Sequence, residues 1–153
     1  MAQELHVRMG LSVKAMIFHD GKLLILQKND DEIRHHWEFP GGGLRLDEDF
    51  PTGLRREVLE ETGLTIDLIG VAGTWSFKKK DGQFLNGVIF TALSKTDAIT
   101  LSEEHIQYRW VTPQEFKANE LHGSLQRSLA QMWGFSYDLQ SELLLPFIGE
   151  IHD

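Results

Sequence analysis

Pro40-Gly41-Gly42-Gly43 interrupts the chain between an apolar lead-in, Trp37-Glu38-Phe39, and a segment with helical spacing, Asp49 to Thr62. Three successive glycines permit positive φ and bring backbone close to whatever faces them, and they suit neither a helix nor an ordinary strand. The segment they feed stops at Gly63, a residue suited to the left-handed end of a helix. Its distinguishing feature is a stripe of acids. Glu57, Glu60 and Glu61 stand at i, i+3 and i+4. At about 100° per residue they share less than roughly a third of the helix circumference. Like charges at this spacing repel, so a helix does not gather them for its own stability. Bound cations relieve the repulsion, and an all-oxygen ligand set suits Mg²⁺ or Mn²⁺. A solvated acidic face balanced by Arg55 and Arg56 has the same local signature. The glycine loop ahead of the helix weighs toward a ligand site, and Gly53, one turn before Glu57, would leave room for a ligand.

The remainder of the chain bounds the setting. With 153 residues, 41% of them hydrophobic and 25% charged, and with no repeats or Pro/Ser linker, residues 1–153 are expected to form one domain. The absence of cysteine excludes disulfides, Cys-ligated zinc and thiol catalysis. No apolar run approaches the roughly 18 residues of a membrane helix. The start Met1-Ala2-Gln3-Glu4 lacks an apolar signal core, so a cytoplasmic location is expected. A net charge of −8 disfavours a partner such as long nucleic acid. It leaves open a small phosphate-bearing partner if a cation mediates.

Two hairpins are expected. Val13–Phe18 and Leu23–Leu26 flank Asp20-Gly21, a type I′ signal, and Thr74–Lys79 and Gln83–Ala92 flank Asp81-Gly82, which predicts the same turn. Gln107–Val111 reads as a further strand. Thr112-Pro113-Gln114-Glu115 is a capping box, and Leu121, Leu125, Leu129, Met132 and Trp133 predict an amphipathic helix ending near Gly134. The apolar tail Leu143–Ile148 must cover something, either this domain's own core or a subunit contact. Strands and helices interleave without a βαβ rhythm, so the fold class is α/β (α+β), a mixed sheet packed by helices.

Gly42, five residues, Glu48, seven residues, then Arg56-Glu57-Val58-Leu59-Glu60-Glu61-Thr62-Gly63-Leu64 resembles the Nudix box, GX5EX7REUXEEXGU with U aliphatic, at every fixed position. The resemblance implies an α/β/α sandwich with a mixed central sheet. It also implies metal-dependent hydrolysis of a diphosphate linkage in a nucleoside diphosphate derivative. Carried over by position, Glu57, Glu60 and Glu61 would hold Mg²⁺ or Mn²⁺, with a backbone carbonyl at Gly41 or Gly42 as a further ligand. Arg56 would orient Glu57, and Glu48 would stand behind the ligands or bind an additional metal. Some members place a catalytic or metal-binding Glu just before the Trp of a late strand, where this chain has Arg109 before Trp110. Glu104, with Glu103 beside it, is the expected late-loop carboxylate; Glu57 is otherwise the base. The helix start Phe50-Pro51-Thr52 departs from a frequent Pro-Glu-Glu, at outer positions where Asp49 can still cap.

For the substrate, Trp37-Glu38-Phe39-Pro40-Gly41-Gly42 resembles the lead-in of MutT-type nucleoside triphosphate pyrophosphatases, as does Ala118-Asn119-Glu120. Asn119 would read a purine edge with its side-by-side donor and acceptor; it would equally serve as a helix N-cap. Trp75 and Phe77 would stack on a base or pack the core, and Lys28 would meet a phosphate. Neither Pro nor Tyr occurs in Phe77–Asp81, which counts against ADP-ribose and diadenosine-polyphosphate specialists. The expected activity converts a (d)NTP, or an oxidised purine (d)NTP, to the monophosphate and pyrophosphate. The alternatives are a nucleotide sugar or other nucleoside diphosphate derivative as substrate, or a non-catalytic nucleotide-sensing module. A monomer or homodimer with no membrane partner is expected.

Overall fold

The computed structural model describes residues 9–29, 36–118, 126, 129 and 139–149. The first hairpin forms as its turn requires. Strand β1 (Gly10–His19) and strand β2 (Lys22–Lys28) are joined by Asp20 and Gly21 alone, both at positive φ (49° and 73°). That pair of angles belongs to the type I′ turn, whose twist matches that of the strands.

The two strands pair only near this turn, Phe18 with Leu23 and His19 with Lys22. Farther along they splay, and the glycine segment fills the gap. Strand β3 (Trp37–Glu38) pairs with β2, and strand β4 (Gly41–Gly43) pairs antiparallel with β1 from Ser12 to Lys14. The expectation that the glycines avoid strand pairing is therefore corrected. They form a short extended ladder, with Gly41 at φ 143°. A side chain at Gly41 would strike the Val13 carbonyl, so close approach to β1 is what demands glycine.

Helix α1 (Phe50–Thr62) follows. Its ends are set by local chemistry. The Asp49 carboxylate accepts from the Thr52 amide at 2.8 Å, and Gly63 closes the other end in the left-handed conformation, its amide donating to the Leu59 carbonyl. The room expected at Gly53 is taken up: a Cβ there would collide with the Leu44 side chain. Gly53 admits that packing rather than a ligand.

Strand β5 (Ile66–Lys78) and strand β6 (Phe84–Ser94) form the second hairpin. Its turn differs from the expected type I′. Only Gly82 has positive φ (89°), the Gly82 amide donates to the Lys79 carbonyl, and the Lys79 amide donates to Gln83. This is the longer loop in which a turn is followed by a left-handed glycine. Strand β6 also runs parallel to β1 from Gly10 opposite Leu85 to Phe18 opposite Leu93. Strand β7 (His105–Val111) pairs antiparallel with the outer side of β2. The result is a mixed seven-stranded sheet.

Helices cover both faces, and strand alternation sorts the core. Val13, Ala15, Ile17, Leu24 and Leu26 meet Leu54 and Val58 of α1. Met16, Phe18, Leu23 and Ile25 meet Phe116 of helix α2 (Pro113–Ala118) and Leu144 and Phe147 of helix α3 (Leu139–Ile148). The capping box of α2 is reciprocal: the Thr112 amide donates to Glu115 at 3.1 Å, and the Glu115 amide donates to Thr112 Oγ1 at 3.2 Å. Of the two readings of the apolar tail, the structure takes the first, since α3 packs on this chain's own core. The helix expected around Leu121–Trp133 lies outside the described residues, apart from helical Gln126 and Leu129.

Leu54 is fully buried between α1 and the sheet, whereas Leu59 on the same helix is 56% exposed. Leu54→Ala should cost about 2–5 kcal/mol of stability by opening a cavity, and Leu59→Ala should stay within about 0.5 kcal/mol. Urea denaturation of the two variants checks this seating of α1, which comparable losses would contradict.

Candidate active site and cation centre

The site is built where the β4 glycines press on α1. The Gly41 amide donates to Glu61 Oε1 at 3.1 Å, tying the last turn of the helix to the sheet. Gly42 faces Glu57 so closely that a Cβ would lie 2.7 Å from the Glu57 carboxyl carbon. Any side chain at Gly42 would displace that carboxylate. The sequence places glycine at the two points where backbone touches the carboxylate stripe.

Arg56 gathers the stripe from one side. Its guanidinium donates to both Glu48 oxygens (2.7 and 2.8 Å), to Glu57 Oε1 (3.1 Å), to Glu60 Oε2 (3.3 Å) and to the Gly43 carbonyl (3.1 Å). The fork matches a carboxylate edge in a way a lysine could not. The hydrogen bonds from Arg56 and from the Arg45 amide hold the Glu48 carboxyl down at about 2, and the Glu48 and Glu57 contacts raise the affinity of Arg56 for its proton. Glu48 is thus spent on Arg56. Arg45 also reaches Glu60 Oε1 at 3.3 Å, across an exposed pair that adds little.

Glu61 stands apart from this cationic side. Its side chain is 2% exposed, and Oε2 has no hydrogen-bond partner among the described residues. Burial pushes its carboxyl up to about 8 against the pull of Lys14; Glu38 and Glu57 add to the rise and the Gly41 amide opposes it. Beyond Glu61 lies buried His105, with Nδ1 3.4 Å from Glu61 Oε2 and Nε2 2.9 Å from Glu38 Oε1. Lys14 Nζ lies 3.5 Å from the other Glu38 oxygen. Burial pushes the Glu38 carboxyl up, but Lys14, the His105 hydrogen bond and Lys28 outweigh it and hold it at about 2. Two carboxylates flanking one imidazole are therefore driven in opposite directions.

The loop before β7 closes the site. The Thr100 amide donates to the Thr62 carbonyl, the Ser102 amide to the Glu61 carbonyl, and the Asn29 amide to the Glu104 carbonyl. These bonds fix Glu103 and Glu104 beside the end of α1. Glu60, Glu61, Ser102, Glu103 and Glu104 line a cleft of about 350 Å³. Ligand atoms of Glu61, Glu104 and His105 lie within 4.8 Å of one another. An acidic cleft with an unpartnered, buried Glu61 oxygen fits a divalent cation, since a cation satisfies that oxygen and offsets the mutual repulsion of the carboxylates.

The sequence-derived candidates thus separate. Glu57, Glu60, Glu61, Arg56, Glu48 and Gly41 form one contiguous cluster, and Glu104 reaches its edge. Lys28 ends β2 half-buried, where its charge is felt by Glu38. Trp75 is buried in the core under α2 and α3, and Phe77 packs at that core's margin. Both belong to the cluster opposite the one that seats α1. Asn119 lies outside the described residues. Arg109 pairs with Glu115 at 3.1 Å. Sequence reading missed Lys14, Glu38 and His105. The usable signal was a lone charge inside an apolar strand: Lys14 within Val13–Phe18, and Glu38 between Trp37 and Phe39.

Comparison with known proteins gives a consistent picture. A family profile described as NUDIX domain matches residues 9–132. The MutT-like protein of Streptomyces ambofaciens is 32% identical over 100 residues, 65% of this chain and 61% of its own length. The nucleoside triphosphatase NudI of Escherichia fergusonii is 27% identical over 137 residues, 81% of this chain and 96% of its own. The crystal structure of a MutT protein from Methanosarcina mazei superposes with a TM-score of 0.70 at 30% identity, covering 81% of this chain and 92% of that one.

The raised Glu61 carboxyl has a consequence for stability. The folded protein keeps a proton that the unfolded chain releases above about 4.5, so stability falls as pH climbs from there toward about 8. Glu61→Gln preserves the acceptor for Gly41 and removes this loss. In the presence of chelator the variant should match the parent in thermal midpoint near pH 5 and exceed it near pH 8. Equal midpoints at both pH values would contradict the buried, proton-holding state.

Proposed function

This chain belongs to the Nudix family of hydrolases, and from that premise we propose that it cleaves the diphosphate linkage of a nucleoside triphosphate with the help of divalent cations. The observation that carries the reading is the set of α1 carboxylates, intact and drawn together by Arg56, with Glu61 buried beside an acidic cleft. The near-full-length match to a protein named as a nucleoside triphosphatase supports the choice of substrate class.

Glu57, Glu60 and Glu61 would hold the cations, with the Gly41 carbonyl as an added ligand. Bound Mg²⁺ or Mn²⁺ neutralises phosphate charge and lowers the pKa of water. The chain's own groups do the rest. Arg56 holds Glu57 and Glu60 side by side, because its guanidinium donates a hydrogen bond to each. Glu57 or Glu104 takes the proton as a water oxygen attacks phosphorus. The bond from that phosphorus to the bridging oxygen breaks, and the electron pair leaves with pyrophosphate. Lys28, whose charge is felt by Glu38, would balance a phosphate, and Asn119 would read the base. Trp75 is held by core packing, so base stacking falls to Phe77 if to either aromatic. Among the described residues no helix is long and apolar enough to cross a membrane.

A panel of nucleoside triphosphates, nucleotide sugars and dinucleotides, assayed with Mg²⁺ for phosphate and pyrophosphate release, tests the reading. Pyrophosphate should appear from triphosphates, and chelator should abolish it. Glu57→Gln and Glu60→Gln should each lower turnover by about 10²-fold or more, the scale of losing an electrostatic group at the reacting centre. Nucleotide-sugar cleavage alone would move the substrate class, and nucleotide binding without turnover would mark a sensing module. Asn119→Ala should narrow the preference between purine and pyrimidine triphosphates; an unchanged preference would leave Asn119 as a cap.

A further inference from the structure

We propose that His105 supplies an imidazole nitrogen to the cation centre, so that Glu61, Glu104 and His105 together form a mixed nitrogen–oxygen site suited to Mn²⁺ or a later transition ion. The inference rests on the cation reading above and adds a ligand type to it.

Three observations converge on His105. It is buried, 1% exposed in its side chain, and its Nδ1 has no hydrogen-bond partner among the described residues. That nitrogen faces Glu61 Oε2, the other unpartnered buried atom of the cluster, at 3.4 Å. Two ligand atoms about 2.1 Å from a shared cation lie roughly 3.0–3.4 Å apart as the angle between them opens from square to tetrahedral. The observed gap therefore matches a ligand pair better than it matches a hydrogen bond.

The opposite side of the ring fixes which nitrogen is free. Nε2 lies 2.9 Å from Glu38 Oε1, and a carboxylate can only accept, so Nε2 is the donor there and the neutral ring leaves its lone pair on Nδ1. Glu38 is in turn held by Lys14. A carboxylate behind an imidazole is the usual support of a metal-bound histidine, because it sets the tautomer and the ring plane. Nδ1 and Glu61 Oε2 are thus two buried ligand atoms turned toward one another. Glu104 completes the set from the solvent side, its backbone tethered to Asn29. A nitrogen ligand raises affinity along the series from Mn²⁺ upward, whereas Mg²⁺ gains least from it.

The test is pulsed electron paramagnetic resonance on the Mn²⁺-loaded protein, read as ¹⁴N modulation from a directly bound imidazole. Wild-type protein should show the coupling, and His105→Gln should lose it while still binding Mn²⁺ at least tenfold more weakly. If His105→Gln does not fold, wild-type protein grown with ¹⁵N-histidine should replace the ¹⁴N pattern by a ¹⁵N one. Mn²⁺ bound to wild-type protein without nitrogen coupling would overturn the proposal and leave the carboxylate centre standing. No Mn²⁺ binding at all would overturn both.

Discussion

One hydrogen bond fixes where the rest of the site can be. The Gly41 amide donates to Glu61 at 3.1 Å, and it joins the three-glycine strand β4 to the last turn of α1. Because Gly41 is itself pinned against Val13 and Lys14 of β1, the carboxylate inherits the rigidity of the sheet. Burial of Leu54 and Val58 supplies the driving force for this docking. The hydrogen bond sets its register, since rotating α1 by one residue would swing the acid stripe about 100° away from the glycines.

The docking creates an electrostatic problem that two cationic groups divide. Arg56 serves Glu48, Glu57 and Glu60 on the solvent side. Lys14 serves Glu38 on the inner side. Glu61 lies between these domains of influence, buried and without a full share of either, and its carboxyl rises accordingly. The chain carries a net charge of −8. Here part of it is concentrated: the stretch from Gly42 to Leu64 holds six acids and three bases. That local excess lies where the proposed cations, and through them anionic phosphates, would bind.

Much of this is legible in the sequence. Asp20-Gly21 and the Asp49-to-Gly63 helix were readable because their determinants are local: a two-residue turn, an N-cap and a left-handed C-cap. The stripe Glu57, Glu60, Glu61 followed from helical spacing alone. The misreadings share a different cause. Asp81-Gly82 carries the same letters as the first turn, yet its loop is three residues longer, and strand registry rather than the dipeptide decided the conformation. The strand pairing of Gly41–Gly43 depends on β1 and β2 splaying apart, which no local pattern announces. His105 and Glu38 are separated by 67 residues and meet only because β3 and β7 flank β2. Trp75 offered an aromatic face in the sequence, and its place under α2 and α3 was a matter of packing.

The buried Glu61 carboxyl, proposed above as a cation ligand, would exchange its proton for the cation. Calorimetric titration of Mn²⁺ at pH 7 in buffers of different ionisation enthalpy measures it directly. A carboxyl pushed up to about 8 must give up its proton for a cation to bind. Close to one proton released per cation in the parent protein, and none in Glu61→Gln, is the expected result. Cation binding with no proton release from the parent protein would contradict it.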